Sequence, residues 1–225
     1  MDERAVRREF HKLYYGSGVW TRTTWMGIKT LKCPLDLWAY QEIVSTVKPD
    51  VIVETGTAYG GSALFLASVM DVLGKGSIIS VDINAQRNQP VHPRIQYLAG
   101  SSTDPAIVER VRKAVGNSET VLVILDSDHK KDHVAKELQA YAPMVTAGSY
   151  LIVEDTNLNG NPVAPNFGEG PGEAVQAFLK SHKEFETDHS MEKFLLTFNP
   201  GGFLKRVDSS RLPTNPHAKV PPNAA

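Results

Sequence analysis

Four short stretches of this chain carry side chains able to do chemistry, and each falls at the end of an apolar run. The first is Glu54-Thr55-Gly56-Thr57-Ala58-Tyr59-Gly60-Gly61-Ser62, directly after DVIVE. Gly56 and Gly60 let a backbone pass close beneath a ligand, since neither has a Cβ. The spacing is Gly-x-x-x-Gly, not the Gly-x-Gly-x-x-Gly that seats a pyrophosphate on a helix N-terminus. Glu54 would repel a pyrophosphate and suits a ligand that carries an ammonium. The second stretch ends in Asp82, where a carboxylate can accept both hydroxyls of a ribose. Together these residues read as a site for adenosine joined to an amino acid, S-adenosylmethionine. The third, LAGSS, places Ser101 and Ser102 beside the adenine, or else as caps of the helix that follows.

The fourth group is acidic. TVLVILD ends at Asp126 and SYLIVED ends at Glu154 and Asp155. Three carboxylates at neighbouring strand ends repel one another, and a bound cation relieves that repulsion. An all-oxygen set favours a hard divalent ion, Mg²⁺ first. His129 lies three residues beyond Asp126 and, if a helix begins there, faces the same cleft. A neutral imidazole so placed can take a proton from a substrate hydroxyl. Asp128 and His133 are nearby alternatives for that role.

These residues need a scaffold that aligns strand ends. DVIVE, GSIISVD, RIQYLA, TVLVILD and SYLIVED alternate with the helical stretches SALFLASVMDVL, DPAIVERVRKAV and HVAKELQAYAPMV. Strands this apolar on both faces belong in a parallel sheet covered by helices, and the alternation predicts a doubly wound α/β domain. LDLWAYQEIVSTV predicts a helix ahead of it and EAVQAFLKSH one after it. FLLTFNPGGFLKRV reads as an antiparallel hairpin at the sheet edge. Residues 156–172, rich in Gly, Pro and Asn, form a long loop of the kind that is functional or mobile. Residues 1–33 read as an extension with short helical pieces, 34–207 as the domain, and 208–225 as a Pro-rich disordered tail.

The bulk composition agrees. The chain has 225 residues, 41% hydrophobic and 22% charged, with a formal net charge of −1. That is a globular balance without a field that draws in nucleic acid or anionic lipid. A single cysteine, Cys33, excludes an intramolecular disulfide and a Cys-based zinc site. Neither a signal peptide nor a membrane-length apolar run is visible, so a soluble cytoplasmic protein is expected.

VETGTAYGGS, SVD, LAGSS, LDSDH and IVED, in this order, resemble the motif series of class I S-adenosylmethionine-dependent methyltransferases. More narrowly they resemble the rhamnosyl O-methyltransferase and cephalosporin hydroxylase family, and WMGIKTLKCPLDLWAYQEIV fits that family's lead-in helix. The resemblance covers roughly residues 20 to 206. It implies a Rossmann-like, mostly parallel seven-stranded sheet. It also implies metal-dependent O-methylation of a sugar or natural-product diol, a small-molecule acceptor rather than nucleic acid or membrane. Carried over by position, Glu54, Gly56 and Ser62 would hold the methionine portion of the cofactor, with Ala58 and Gly60 also binding the cofactor. Asp82 would hold the ribose, and Ser101 and Ser102 would flank the adenine. Asp126 would border both ligands, with Glu154 and Asp155 completing the Mg²⁺ set and His129 as base. Residues 1–33 would build a homo-oligomer or cover the cofactor. A non-catalytic S-adenosylmethionine-binding partner subunit is the alternative function. A nucleotide-sugar dehydrogenase is disfavoured by the absence of its glycine and Tyr-x-x-x-Lys motifs, and a metal hydrolase by the Glu54 and Asp82 pair.

Overall fold

A computed structural model of the chain describes residues 2–84 and 89–208. The expected strands and helices alternate as read. They are β3 (Val51–Thr55), α3 (Gly61–Leu73), β4 (Ser77–Asp82), β5 (Ile95–Ala99), α4 (Pro105–Val115), β6 (Val121–Leu125), α5 (Lys131–Tyr141) and β7 (Tyr150–Val153). Ahead of them come α1 (Glu3–Gly16), a two-residue ribbon of β1 (Thr24–Trp25) with β2 (Ile28–Lys29), and α2 (Pro34–Val47). After them come α6 (Pro171–Ser181), β8 (Phe185–Thr187) and β9 (Phe203–Arg206).

The seven-stranded sheet runs β5-β4-β3-β6-β7-β9-β8. The first five pair in parallel, and β9 is antiparallel to both β7 and β8. Side chains alternate across a strand, and here both alternating sets are buried. Val51, Val53, Val121, Val123 and Leu125 pack under α4, α5 and α6. Ile52, Leu122, Ile124 and Ile152 pack under α2 and α3. The near-continuous apolar strands are a consequence of this double coverage.

The chain winds from β3 outward through β4 and β5, then returns to add β6 and β7 on the other side. The carboxyl ends of β3 and β6 are therefore the point where the winding reverses and a crevice opens. There the Asp126 N–H donates to the Thr55 carbonyl at 3.0 Å.

Local chemistry sets the helix ends. Asp104 caps α4 through a 2.8 Å bond from the Ala106 N–H, with Pro105 at the first position, as the sequence predicts. Lys48, in the left-handed region at φ 51°, and then Pro49 stop α2.

Three expectations are corrected. The first helix is a single 14-residue α1, capped by Asp2, rather than short pieces. Helix α5 starts at Lys131, so His129 precedes it on a loop instead of sitting in its first turn. The edge antiparallel pair is β8 with β9; residues 194–198 form no strand. They are instead a connection whose Leu196 and Phe198 pack against Cys33, Tyr14, Tyr15 and Trp20, which docks the N-terminal extension onto the domain. The loop 156–172 is tied down by bonds such as Asn157 N–H to Phe198 O (3.1 Å), with Leu158 and Val163 buried. The expectation for 208–225 falls, apart from Asp208, outside the described residues.

Candidate active site

A cavity of about 680 Å³ opens at the carboxyl ends of β3, β4, β6 and β7. That size suits a small-molecule site. Its floor is the turn after β3. Gly56 has φ +87°, and a Cβ there would lie 1.8 Å from the Asp126 carbonyl oxygen. The glycine is what lets the β3 turn and the end of β6 touch. Ala58, at φ 45°, donates its N–H to Asp82 Oδ2 at 2.9 Å, while Asn84 N–H donates to Oδ1 at 2.8 Å. Asp82 lines the cavity, and a carboxylate there suits a diol such as a ribose.

Gly56, Ala58, Ser62, Asp82, Ser101, Ser102, Asp126, His129 and Asp155 all line this cavity. Glu54, Gly60 and Glu154 lie outside its lining. Glu54 is fully buried one layer down. Ser62 Oγ donates to one of its oxygens at 2.5 Å and Ser80 Oγ to the other at 2.6 Å. Burial pushes its carboxyl up, and Lys32 and the two serines oppose that. Glu54 thus aims Ser62 from beneath. Gly60 is the N-cap of α3, facing Pro90 and Tyr97.

At the other end of the cavity, Asp126, His129 and Asp155 bring ligand atoms within 4.8 Å of one another. His129 Nε2 stands 3.3 Å from Asp155 Oδ2. Asp155 sits in the left-handed region at φ 56°, a conformation that costs of order 1–3 kcal/mol and persists where surroundings impose it. Its N–H is pinned 3.0 Å from Asn199 Oδ1. Two carboxylates facing one point, with an imidazole beside them, fit a divalent cation, and burial raises the carboxyls of both Asp126 and Asp155. Glu154 stands behind them, 5% exposed, with its carboxyl raised to about 7 by burial and by Asp126.

Sequence reasoning did not find Lys32. It is 4% exposed and its Nζ bonds both Asp126 Oδ2 and Glu154 Oε1, the latter at 2.5 Å. Burial alone would lower its ammonium, but the two carboxylates more than offset that and hold it above its usual value. The signal available was charge: three clustered acids call for a cation. Also unassigned by sequence were Tyr15 and Trp20 from the extension, and Leu158, Ala164 and Phe167 from the loop 156–172, which wall the cavity. His133 turns out to face Ser102 Oγ and Ser127 Oγ, each at 3.1 Å, rather than the acidic cluster. The Glu137 carboxylate, 3.7 Å away, raises its imidazole.

The chain has relatives among known proteins. Residues 17–207 match the family described as rhamnosyl O-methyltransferase/CmcI. The chain belongs to this family, and it is a methyltransferase. It is 44% identical over 208 residues to the rhamnosyl O-methyltransferase of Mycobacterium leprae, covering 90% of this chain and 91% of that one. To its counterpart from Mycobacterium tuberculosis it is 42% identical over 212 residues, covering 90% and 85%. Among solved structures, CmcI with Mg and SAM aligns with a TM-score of 0.66 at 21% identity, over 84% of this chain and 78% of that one. MycE from the mycinamycin biosynthetic pathway, in complex with Mg, SAH and mycinamycin VI, aligns with a TM-score of 0.55 at 20% identity, over 78% and 50%. At these identities the two structures speak to the fold, which they share. Among the described residues, no helix is long and apolar enough to cross a membrane.

Proposed function

We propose that this methyltransferase moves a methyl group from S-adenosylmethionine to a hydroxyl of a sugar, rhamnosyl or similar, and that a divalent cation, Mg²⁺ by preference, assists it. One observation carries this reading. A single cavity has a glycine turn with a ribose-ready Asp82 at one end and the Asp126, His129 and Asp155 cluster at the other. The relatives named for rhamnosyl O-methylation and the Mg-containing structures of CmcI and MycE support the choice of acceptor and metal.

When bound, the cofactor supplies an activated methyl, and the cation supplies positive charge beside the acceptor oxygen. The chain's residues do the rest. Asp82 and the Gly56–Ala58 turn hold the ribose end, while Ser62, braced by Glu54, reaches toward the amino-acid end. Ser101 and Ser102 border the adenine. Asp126 and Asp155 present oxygens to the cation, and Glu154 adds charge from directly behind. His129 accepts the acceptor's proton at Nε2, and Asp155 stabilises the imidazolium that results. Sugar hydroxyls are weak acids, so this proton transfer matters more than for a phenol. Residues 1–33 serve as a wall of the site through Tyr15 and Trp20, and residues 34–207 form the catalytic domain.

Methyl transfer to a panel of rhamnosides and other vicinal diols, with Mg²⁺ or with excess EDTA, tests the reading. Turnover should require the cation, and Asp155→Ala should abolish it while cofactor binding survives. Undiminished turnover in EDTA would sink the metal role. Failure to methylate any sugar diol would sink the acceptor class.

A further inference from the structure

The metal reading leaves Lys32 unexplained. It follows β2 and precedes α2, and the residue before it, Leu31, is held in the left-handed region at φ 55°. A bulky side chain rarely adopts that conformation. Here it turns Leu31 toward the cavity and Lys32 inward, since Leu31 lines the cavity and Lys32 does not. The buried ammonium therefore bridges Asp126, which lines the cavity, and Glu154, which does not. Tyr40 is fully buried nearby, and Asn199 Nδ2 donates to its Oη at 2.9 Å. Among the described residues, Lys32 and His129 are the cationic or imidazole side chains paired with Asp126, Glu154 or Asp155.

We propose that Lys32 is the built-in counter-cation of this carboxylate cluster. It offsets the mutual repulsion of Asp126 and Glu154 before a divalent ion arrives, and it competes with that ion for Asp126. With three carboxylates ionised the cluster bears three negative charges, and Lys32 reduces this to two, the charge a divalent ion neutralises. Without Lys32 the metal-free site would carry an uncompensated buried charge, and the ion would be drawn in more strongly. Lys32 is thus a positioning residue that sets a moderate metal affinity. This inference rests on the metal reading above.

The test uses Mn²⁺ alone, its free six-line EPR signal titrated with the full chain at fixed pH. Lys32→Met should tighten Mn²⁺ binding about tenfold or more, because a fixed positive charge next to the ion is gone. It should also lower the melting temperature in EDTA and recover it with Mn²⁺. Because a lone Lys32→Met chain could fail to fold, Lys32→Gln is also compared in a Glu154→Gln background, where one of the paired carboxylates is neutral. Removing Lys32 should tighten Mn²⁺ binding there too. A merely structural role predicts the opposite, since misplaced ligands bind more weakly; unchanged or weaker binding in either folded background would overturn the proposal. Wild-type chain that leaves the Mn²⁺ signal untouched would instead overturn the metal reading itself.

Discussion

His129 shows what a residue's neighbours add to its type. On the loop between β6 and α5 it is freed from helical geometry, so its ring reaches both the cavity and Asp155, 3.3 Å away. A base oriented by a carboxylate typically contributes 10²–10⁴-fold to a proton transfer. His129→Ala should therefore lower kcat by roughly that factor while the thermal shift with S-adenosylmethionine and the affinity for Mn²⁺ stay near wild type. A large loss of Mn²⁺ binding with kcat restored at saturating metal would make it a ligand rather than a base. The type and spacing in LDSDH were enough to single out His129, because Asp126 ends a strand and strand ends are legible from hydrophobic patterning. Glu54 was legible as important but not as buried. Whether a strand-end acid faces the cavity or lies beneath it depends on Ser62 and Ser80, which come from two other elements. Lys32 was invisible for the same reason: its partners lie 94 and 122 residues away in the chain.

At the scale of elements, the core strands could be read because both their faces are buried, which leaves an uninterrupted apolar signature. The edge could not. Residues 194–198 are as apolar as a strand, yet Phe198 is claimed by aromatic partners from α1 and its surroundings, including a ring of His11 stacked at 5.7 Å. His11 is the polar pin of this docking. It is 7% exposed, and the Asn157 Nδ2 donates to its Nε2 at 3.0 Å, which requires that nitrogen to be unprotonated. Burial lowers its imidazole to about 4. Arg4, Arg7 and Arg8 line the cleft beside it and would oppose a further positive charge, with Glu192 as the acid facing them. The unfolded or undocked state titrates near 6.5, so it binds the proton first as pH falls, and the docked state does not. Docking of α1 is thus fully stable above about 6.5 and weakens as pH falls toward 4. Hydrogen-exchange protection factors of residues 3–16, corrected for the intrinsic pH dependence of exchange, should fall across that window in the wild type. In a His11→Gln chain, which keeps a hydrogen-bonding side chain without the titration, the fall should be much reduced. An equal response in both would assign it elsewhere.

On the scale of the whole molecule, one sheet edge carries both ends of the site, and the same fold that aligns them is what a ligand stabilises. β3, β4 and β6 are central strands joined by parallel ladders, so the proposed cofactor contacts with Gly56, Asp82 and Asp126 would span three strands of one cooperative core. A ligand that binds only the native state adds about 2.7 kcal/mol at a concentration 100 times its Kd. For a chain of this size each kcal/mol raises Tm by roughly 2–4 °C. S-adenosylmethionine at that excess should therefore raise Tm by roughly 5–11 °C. NADH at the same concentration should raise it little, because its pyrophosphate would meet a turn without the Gly-x-Gly-x-x-Gly approach and above a buried Glu54. Asp82→Ala removes the carboxylate that both Ala58 and Asn84 orient, so it should erase most of the S-adenosylmethionine shift. An NADH shift as large as the cofactor's would mean that the cavity reads a dinucleotide after all.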